Sequence, residues 1–212
     1  MKVLLVNPEF PDTYWSFRHA LPFERKRCAF PPLGLLTVSA LLPKAWERRL
    51  VDLNVRALKS SAIEWADIIF VTGMLVQKES VHEVVRRCKE LGKRVVLGGP
   101  YVTTTIEDLP AVDHIFLGEA ETTLPQFLED LEQGTAKRTY QAAERPPLAT
   151  TPVADFCAAV CSIATAKEIR PVSHFGPFVG SQSGPPSLTR ATTSALRPND
   201  ATPRKYRDSS SP

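Results

Sequence analysis

Sulfur and imidazole are scarce in this chain. Cysteine occurs four times in 212 residues, as Cys28, Cys88, Cys157 and Cys161. They are too few and too scattered for the dense disulfide framework of a small secreted domain. The four histidines, His19, His82, His114 and His174, include no pair at i, i+4 spacing, so no metal site built from imidazoles is expected. No apolar run approaches the roughly 18–20 residues a membrane span needs. Val3-Leu4-Leu5-Val6 is too short for a signal-peptide core, and no small-residue cleavage site follows it. These absences predict a cytoplasmic chain without a membrane span and with reduced thiols. An excess of one charge is also lacking. The formal net charge is +3, and residues 1–145 hold 19 basic and 19 acidic side chains. The surplus lies in residues 146–212, together with 10 of the 19 prolines. A neutral folded part gives no electrostatic reason to expect nucleic acid or an anionic membrane as partner.

Signatures of common nucleotide sites are missing as well. A dinucleotide fold wants GxGxxG after its first strand; here Asn7-Pro8-Glu9-Phe10-Pro11 stands there. GxxxxGK[ST] occurs nowhere. A phosphate-binding flavodoxin loop would be rich in Thr, Ser and Gly after the first strand. A receiver domain would place an aspartate at the end of the third strand, where Thr72 stands, and a lysine after the fifth, where Leu117-Gly118-Glu119 stands. No Ser–His–Asp or Cys–His arrangement can be argued from spacing.

What the chain does have is a series of short apolar runs ending in turn residues. Val3–Val6, Leu50–Leu53, Ile68–Val71, Val95–Leu97 and Ile115–Leu117 read as strands. Continuous apolar runs of this length mark strands buried on both faces. Between them, Leu33–Leu42, Glu79–Leu91 and Thr122–Leu131 read as helices; the second carries Val81, Val84, Val85, Cys88 and Leu91 on one stripe. Residues 54–66 are only weakly periodic. Strands alternating with helices predict an α/β fold: a flavodoxin-like, doubly wound, five-stranded parallel sheet in the order 2-1-3-4-5 over residues 1–145. Residues 146–212, rich in Pro, Ser, Thr and Arg, are expected to be a disordered tail.

Ligands of open parallel sheets bind outside the carboxyl ends of the strands. Those ends carry Asn7-Pro8, Thr72-Gly73-Met74, Gly98-Gly99-Pro100 and Gly118-Glu119. A glycine after a strand is also an ordinary turn device. The Gly98-Gly99 pair is more pointed, because a backbone without Cβ atoms can lie flat against a bulky planar ligand.

Taken in order, several segments resemble the N-terminal domain of cobalamin-dependent radical SAM enzymes, in the branch that includes hopanoid C-2 methylases. They are Asn7-Pro8-Glu9-Phe10-Pro11-Asp12-Thr13, Phe30-Pro31-Pro32-Leu33-Gly34-Leu35, Val51-Asp52-Leu53-Asn54-Val55, Val76-Gln77-Lys78-Glu79-Ser80, Gly98-Gly99-Pro100 and Gly118-Glu119-Ala120-Glu121-Thr122. The resemblance covers roughly residues 1–150. It implies a cobalamin-binding domain that presents its metal-containing cofactor to a neighbouring radical SAM barrel. The corrin would lie over the strand ends, with the nucleotide tail beside Gly98-Gly99. The implied cofactor-binding set is Asn7, Pro8, Asp52, Asn54, Thr72, Gly73, Met74, Gly98, Gly99, Pro100, Gly118, Glu119 and Glu121. Many cobalamin domains carry DxHxxG after the second strand. Here Asp52-Leu53-Asn54-Val55-Arg56-Ala57 puts Asn54 at the histidine position and Ala57 at the glycine position. A carboxamide is a poor cobalt ligand beside an imidazole, so base-off cobalamin without a histidine ligand from this loop is implied; Asn54 also reads as a plain turn residue. The aromatic loop over residues 9–30, with Trp15, Phe17, Arg18 and His19, suits either a cover for the corrin or a docking surface for the barrel.

The family's CxxxCxxC motif holds a [4Fe–4S] cluster. Cys157 and Cys161 have its first spacing, but Ala164 stands where the third cysteine belongs. No iron–sulfur cluster is expected, and the change of composition near Val153 reads as truncation before the radical SAM domain. The chain is thus expected to be a cobalamin-binding module, the remnant of a radical SAM methyltransferase, without catalysis of its own. The competing reading is a cofactor-free α/β interaction or regulatory domain.

Overall fold

A computed structural model describes residues 1–12, 21, 23, 31–105, 108–142, 144–147, 149 and 151–156. Most of the aromatic loop before residue 31, Cys28, Cys157, Cys161 and the tail from residue 157 onward lie outside the described residues. Six strands form one sheet: β1 (Lys2–Asn7), β2 (Glu47–Asp52), β3 (Ile68–Thr72), β4 (Arg94–Gly98), β5 (His114–Leu117) and β6 (Thr139–Gln141). The order is β2-β1-β3-β4-β5-β6, and every pairing is parallel. The expected order 2-1-3-4-5 is therefore present, with a correction: the sheet has six strands, not five. Thr139-Tyr140-Gln141 is too short to announce itself by periodicity. It is held as a strand because Tyr140 packs into the core and the chain pairs with Ile115–Leu117.

Five helices cover the sheet: α1 (Leu33–Leu41), α2 (Ser60–Trp65), α3 (Lys78–Glu90), α4 (Pro100–Thr104) and α5 (Ala120–Glu132). Alternation along the strands supplies both faces. Leu4, Val6, Ile69, Val71, Val95 and Leu97 meet Ile63 of α2, Val81, Val84, Val85 and Cys88 of α3, and Tyr101 and Val102 of α4. Val3, Leu5, Ile68, Phe70, Val96 and Phe116 meet Leu35, Leu36 and Val38 of α1 and Leu124 and Phe127 of α5. On this second face Phe70, Phe116, Phe127 and Tyr140 pack edge to face, with centroids 5.3–6.2 Å apart. Such contacts add to simple area burial. The Tyr140 hydroxyl accepts from the Lys137 amide and donates to Asp130, both at 2.8 Å, which closes the turn into β6. Cys88 is fully buried, and burial pushes its thiol up to about 11, so it packs as a small apolar side chain.

The two sheet edges are short or charged. β6 offers three residues, and the outer half of β2 carries Glu47, Arg48 and Arg49, the last lying 3.9 Å over the Trp65 ring.

Contacts of the domain continue past residue 145, the boundary that composition suggests. Ser39 of α1 is completely buried, and its hydroxyl donates to Asp155 at 2.8 Å. The Asp155 amide donates to the Leu36 carbonyl, and Arg48 lies 3.6 Å from the same carboxylate. Residues 151–156 thus form a strap fastened to α1. Replacing Asp155 by alanine leaves a buried hydroxyl without that acceptor. Loss of about 1–3 kcal/mol is expected in denaturant unfolding, whereas the same change at exposed Glu129 is expected to be neutral.

Asp113 joins β4 to the start of β5. Its carboxylate accepts from Lys89 at 2.8–2.9 Å and from the Val95 amide at 2.8 Å. Burial alone would raise its pKa, but these donors outweigh that and hold it below the usual carboxylate range. A lowered folded-state pKa gives stability that is present above about pH 4 and lost as pH falls through the folded value. Asp113→Asn is expected to weaken the fold by about 1 kcal/mol at pH 7, with the gap from the parent protein closing below pH 4 in a pH series of unfolding curves.

Candidate functional site

Because all strands run parallel, their carboxyl ends share one rim, and the order reverses at β1, which lies between β2 and β3. That reversal opens a crevice where neighbouring connections depart to opposite faces. All of the segments singled out from the sequence arrive at this rim: Asn7-Pro8 after β1, Asp52 to Asn54 after β2, Thr72-Gly73-Met74 after β3, Gly98-Gly99-Pro100 after β4, and Gly118-Glu119 after β5. Glu121 lies in the first turn of α5 and Pro100 opens α4.

The loops are fastened to one another by side-chain amides. Asn54 Oδ1 accepts from the Phe10 amide at 2.9 Å, while its Nδ2 donates to Asp52 at 2.7 Å and to the Pro8 carbonyl at 3.2 Å. Asp52, itself buried, also accepts the Asn54 backbone N–H at 2.9 Å, making an Asx turn. From the other side Gln77 donates to the same Pro8 carbonyl at 2.6 Å and accepts from the Met74 amide at 2.9 Å. Ser80 accepts from the Glu9 amide at 2.9 Å. Asn54 therefore works as a turn residue that binds the β1 and β2 loops together, with both amide hydrogens in use. Gln77 and Ser80 carry a role that sequence reasoning missed. Both stand in a segment of the resemblance, but read as the polar start of an amphipathic helix they had no partner until the fold brought Pro8 and Glu9 alongside.

The glycines at the end of β4 differ in kind. Gly99 has φ +95°, and a Cβ there would fall 2.5 Å from Thr72 Oγ1 and 3.2 Å from the Gly73 carbonyl. A structural reason for it is complete. Gly98 has no such reason: among the described residues a Cβ would meet only Phe116, at 3.5 Å, in ordinary contact. Gly73 is buried, and a Cβ there would lie 2.6 Å from Val81. Around this floor the rim exposes large apolar side chains: Phe10, Leu33, Met74, Leu75 and Val76 are 39–58 % accessible. Buried Tyr101 anchors α4 below the glycines. Its amide donates to the Gly73 carbonyl, its hydroxyl donates to the Asp108 carbonyl at 2.7 Å and accepts from His82 Nε2 at 2.9 Å, and burial raises its pKa. Lys78 pairs with the Asp108 carboxylate nearby.

A second concavity, about 780 Å³, runs beside α3 between Glu79, His82, Arg86 and Pro110. Its walls are ion pairs in solvent, Arg86 with Glu83 and Glu90 among them. Pairs of this kind carry little energy; Val85, Pro110 and Ala111 supply the apolar part of its lining. Among the described residues no cluster of histidine, cysteine and carboxylate is arranged to hold a metal ion, and no helix is long and apolar enough to cross a membrane. The rim is the candidate site: it has an exposed apolar border, polar fastenings between its loops, and Gly98, for which the described residues give no steric reason.

The B12 binding domain family matches residues 28–128. An uncharacterized methyltransferase of Synechocystis, sll1242, is 39% identical over 155 residues, covering 72% of this chain and 29% of that protein. The hopanoid C-2 methylase of Rhodopseudomonas palustris is 31% identical over 166 residues, covering 76% and 32%. The bacteriochlorophyllide d C-12(1)-methyltransferase of Chlorobaculum tepidum is 24% identical over 132 residues. The chain spans about a third of the length of these relatives. The resemblance read from the ordered strand-end motifs is thereby borne out: residues 28–128 match the B12 binding domain family, on a flavodoxin-like α/β fold.

Proposed function

We propose that the chain is the cobalamin-seating module of a radical SAM methyltransferase system, holding the cofactor on the rim for a separate barrel and doing no iron–sulfur chemistry of its own. The observation that carries this reading is the rim itself: exposed apolar residues border a glycine, Gly98, whose missing Cβ answers to no neighbour within the fold. The macrocycle would rest on Met74 and the neighbouring apolar side chains. Gly98 would let the backbone approach it closely, with Gly99 and Pro100 shaping the turn. Asn7, Pro8, Thr72, Gly73, Gly118, Glu119 and Glu121 would line the seat, the two glutamates offering acceptors to the corrin's amide groups. When bound, cobalamin supplies a cobalt centre able to carry a methyl group.

This chain's residues would orient that group rather than react with it. Asn54 is committed to Asp52, Pro8 and Phe10. So engaged, it would not serve as a cobalt ligand, which supports base-off binding without an imidazole from the β2 loop. The methyltransferase names of the relatives support methyl transfer as the reaction class, and Cys157 and Cys161 without a third cysteine at 164 support the need for a cluster from elsewhere.

Purified protein incubated with hydroxocobalamin and desalted is expected to retain it, reported by the visible spectrum. In the reduced Co(II) form its EPR spectrum is expected to lack nitrogen superhyperfine splitting. A colourless protein would sink the reading, and a nitrogen triplet would sink the base-off part of it. The two glycines give a contrast. Gly99→Ala is expected to destabilise the ligand-free protein by about 1–3 kcal/mol through backbone strain. Gly98→Ala is expected to leave the unfolding curve near that of the parent while lowering cobalamin affinity about tenfold.

A further inference from the structure

Gly34, which follows the rim residue Leu33 and is not itself part of the seat described above, also meets no neighbour among the described residues. Among the described glycines, four have positive φ, and Gly73 is crowded by Val81. Gly98 and Gly34 remain. Gly34 lies in the first turn of α1, where a helical φ suits any L residue and glycine weakens the helix relative to alanine. A Cβ built at this exposed position meets nothing within 4 Å among the described residues.

Its tilt along the axis is set by helix geometry. Cα–Cβ bonds tilt toward a helix's N-terminus, and α1 begins where the chain returns from the end of β1. The open space beside Gly34 is therefore on the rim side. Gly98 shares the alternation of Val96, whose side chain packs on the α1 and α5 face, and its own nearest neighbour would be Phe116 of that face. Gly98 thus faces the layer to which α1, and Gly34 with it, belongs, and Leu33, 55 % exposed, stands next to Gly34.

Resting on the cobalamin reading above, we propose that Gly34 is a specificity-determining residue of the seat: the first turn of α1 forms a second wall, and the absence of a side chain at 34 sets how closely the cofactor lies against that helix. Gly98 is the floor and Gly34 the flank, so the seat takes a bulky ligand in contact with two backbone segments at once.

Gly34→Ala and Gly34→Leu test this, with hydroxocobalamin as the probe and ligand-free thermal unfolding measured in parallel. Both variants are expected to fold, with midpoints equal to the parent's or up to about 3 °C higher, as removing a helical glycine predicts. Cobalamin affinity is expected to fall a few-fold for alanine and at least tenfold for leucine. Glu129→Leu, on the outer face of α5, is the control and is expected to bind as the parent does. Equal binding by the parent and Gly34→Leu would overturn this inference while leaving the cobalamin reading intact. Absence of binding by the parent would overturn that reading, and this inference with it. If leucine lowers the midpoint, alanine decides: unchanged stability with weaker binding supports the flank, and unchanged binding overturns it.

Discussion

Burial of β1 on both faces governs the rest of the molecule. Val3, Leu4, Leu5 and Val6 are all inaccessible to solvent, and a strand in that state needs a helical layer above and below and a neighbour on each side. The neighbours are β2 and β3, which makes β1 the point where the winding of the sheet reverses. The parallel register then carries every strand to the same rim, and the crevice for a ligand follows from that geometry without any catalytic group being specified. The apolar force that builds the sheet also aligns Asn7 with Asp52 and Thr72 with Gly98. The residues that line the rim need not find each other; pairing delivers them.

The polar fastenings do a different job. Loops at strand ends are ordinarily the loosest part of a domain. Here the carboxamides of Asn54 and Gln77 converge on one carbonyl, that of Pro8, and draw three loops into a single unit. A carboxamide suits this because it donates and accepts in the same plane. An imidazole at 54 would give up one of those bonds, so the identity of that residue follows from its work of tying the loops together.

Much of this was legible in the sequence because buried parallel strands write continuous apolar runs and end in turn residues. The order of strands and the rim segments were readable from that pattern. The amphipathic stripe of α3 was readable too, its Val81, Val84, Val85 and Cys88 all buried. Other features left weaker marks. β6 is three residues long, of which only Tyr140 faces the core. α2 and α4 are six and five residues long, below the length at which a 3.6-residue period can be seen. Gln77, Ser80 and Asp155 act through partners 69, 71 and 116 residues away, and no local pattern announces such partners. Gly98 and Gly99 read alike as letters and differ only once the neighbours of their absent side chains are known.

The outer strands bear on how the sheet avoids pairing with a second one. An open sheet invites a second sheet to add to it, edge against edge, and long flat borders are where aggregation starts. One border here is three residues long and the other is studded with Glu47, Arg48 and Arg49. Neither gives an incoming strand an uncharged template of useful length. A sheet bordered in this way has little tendency to polymerise through its edges, and that protection is written into the border strands themselves.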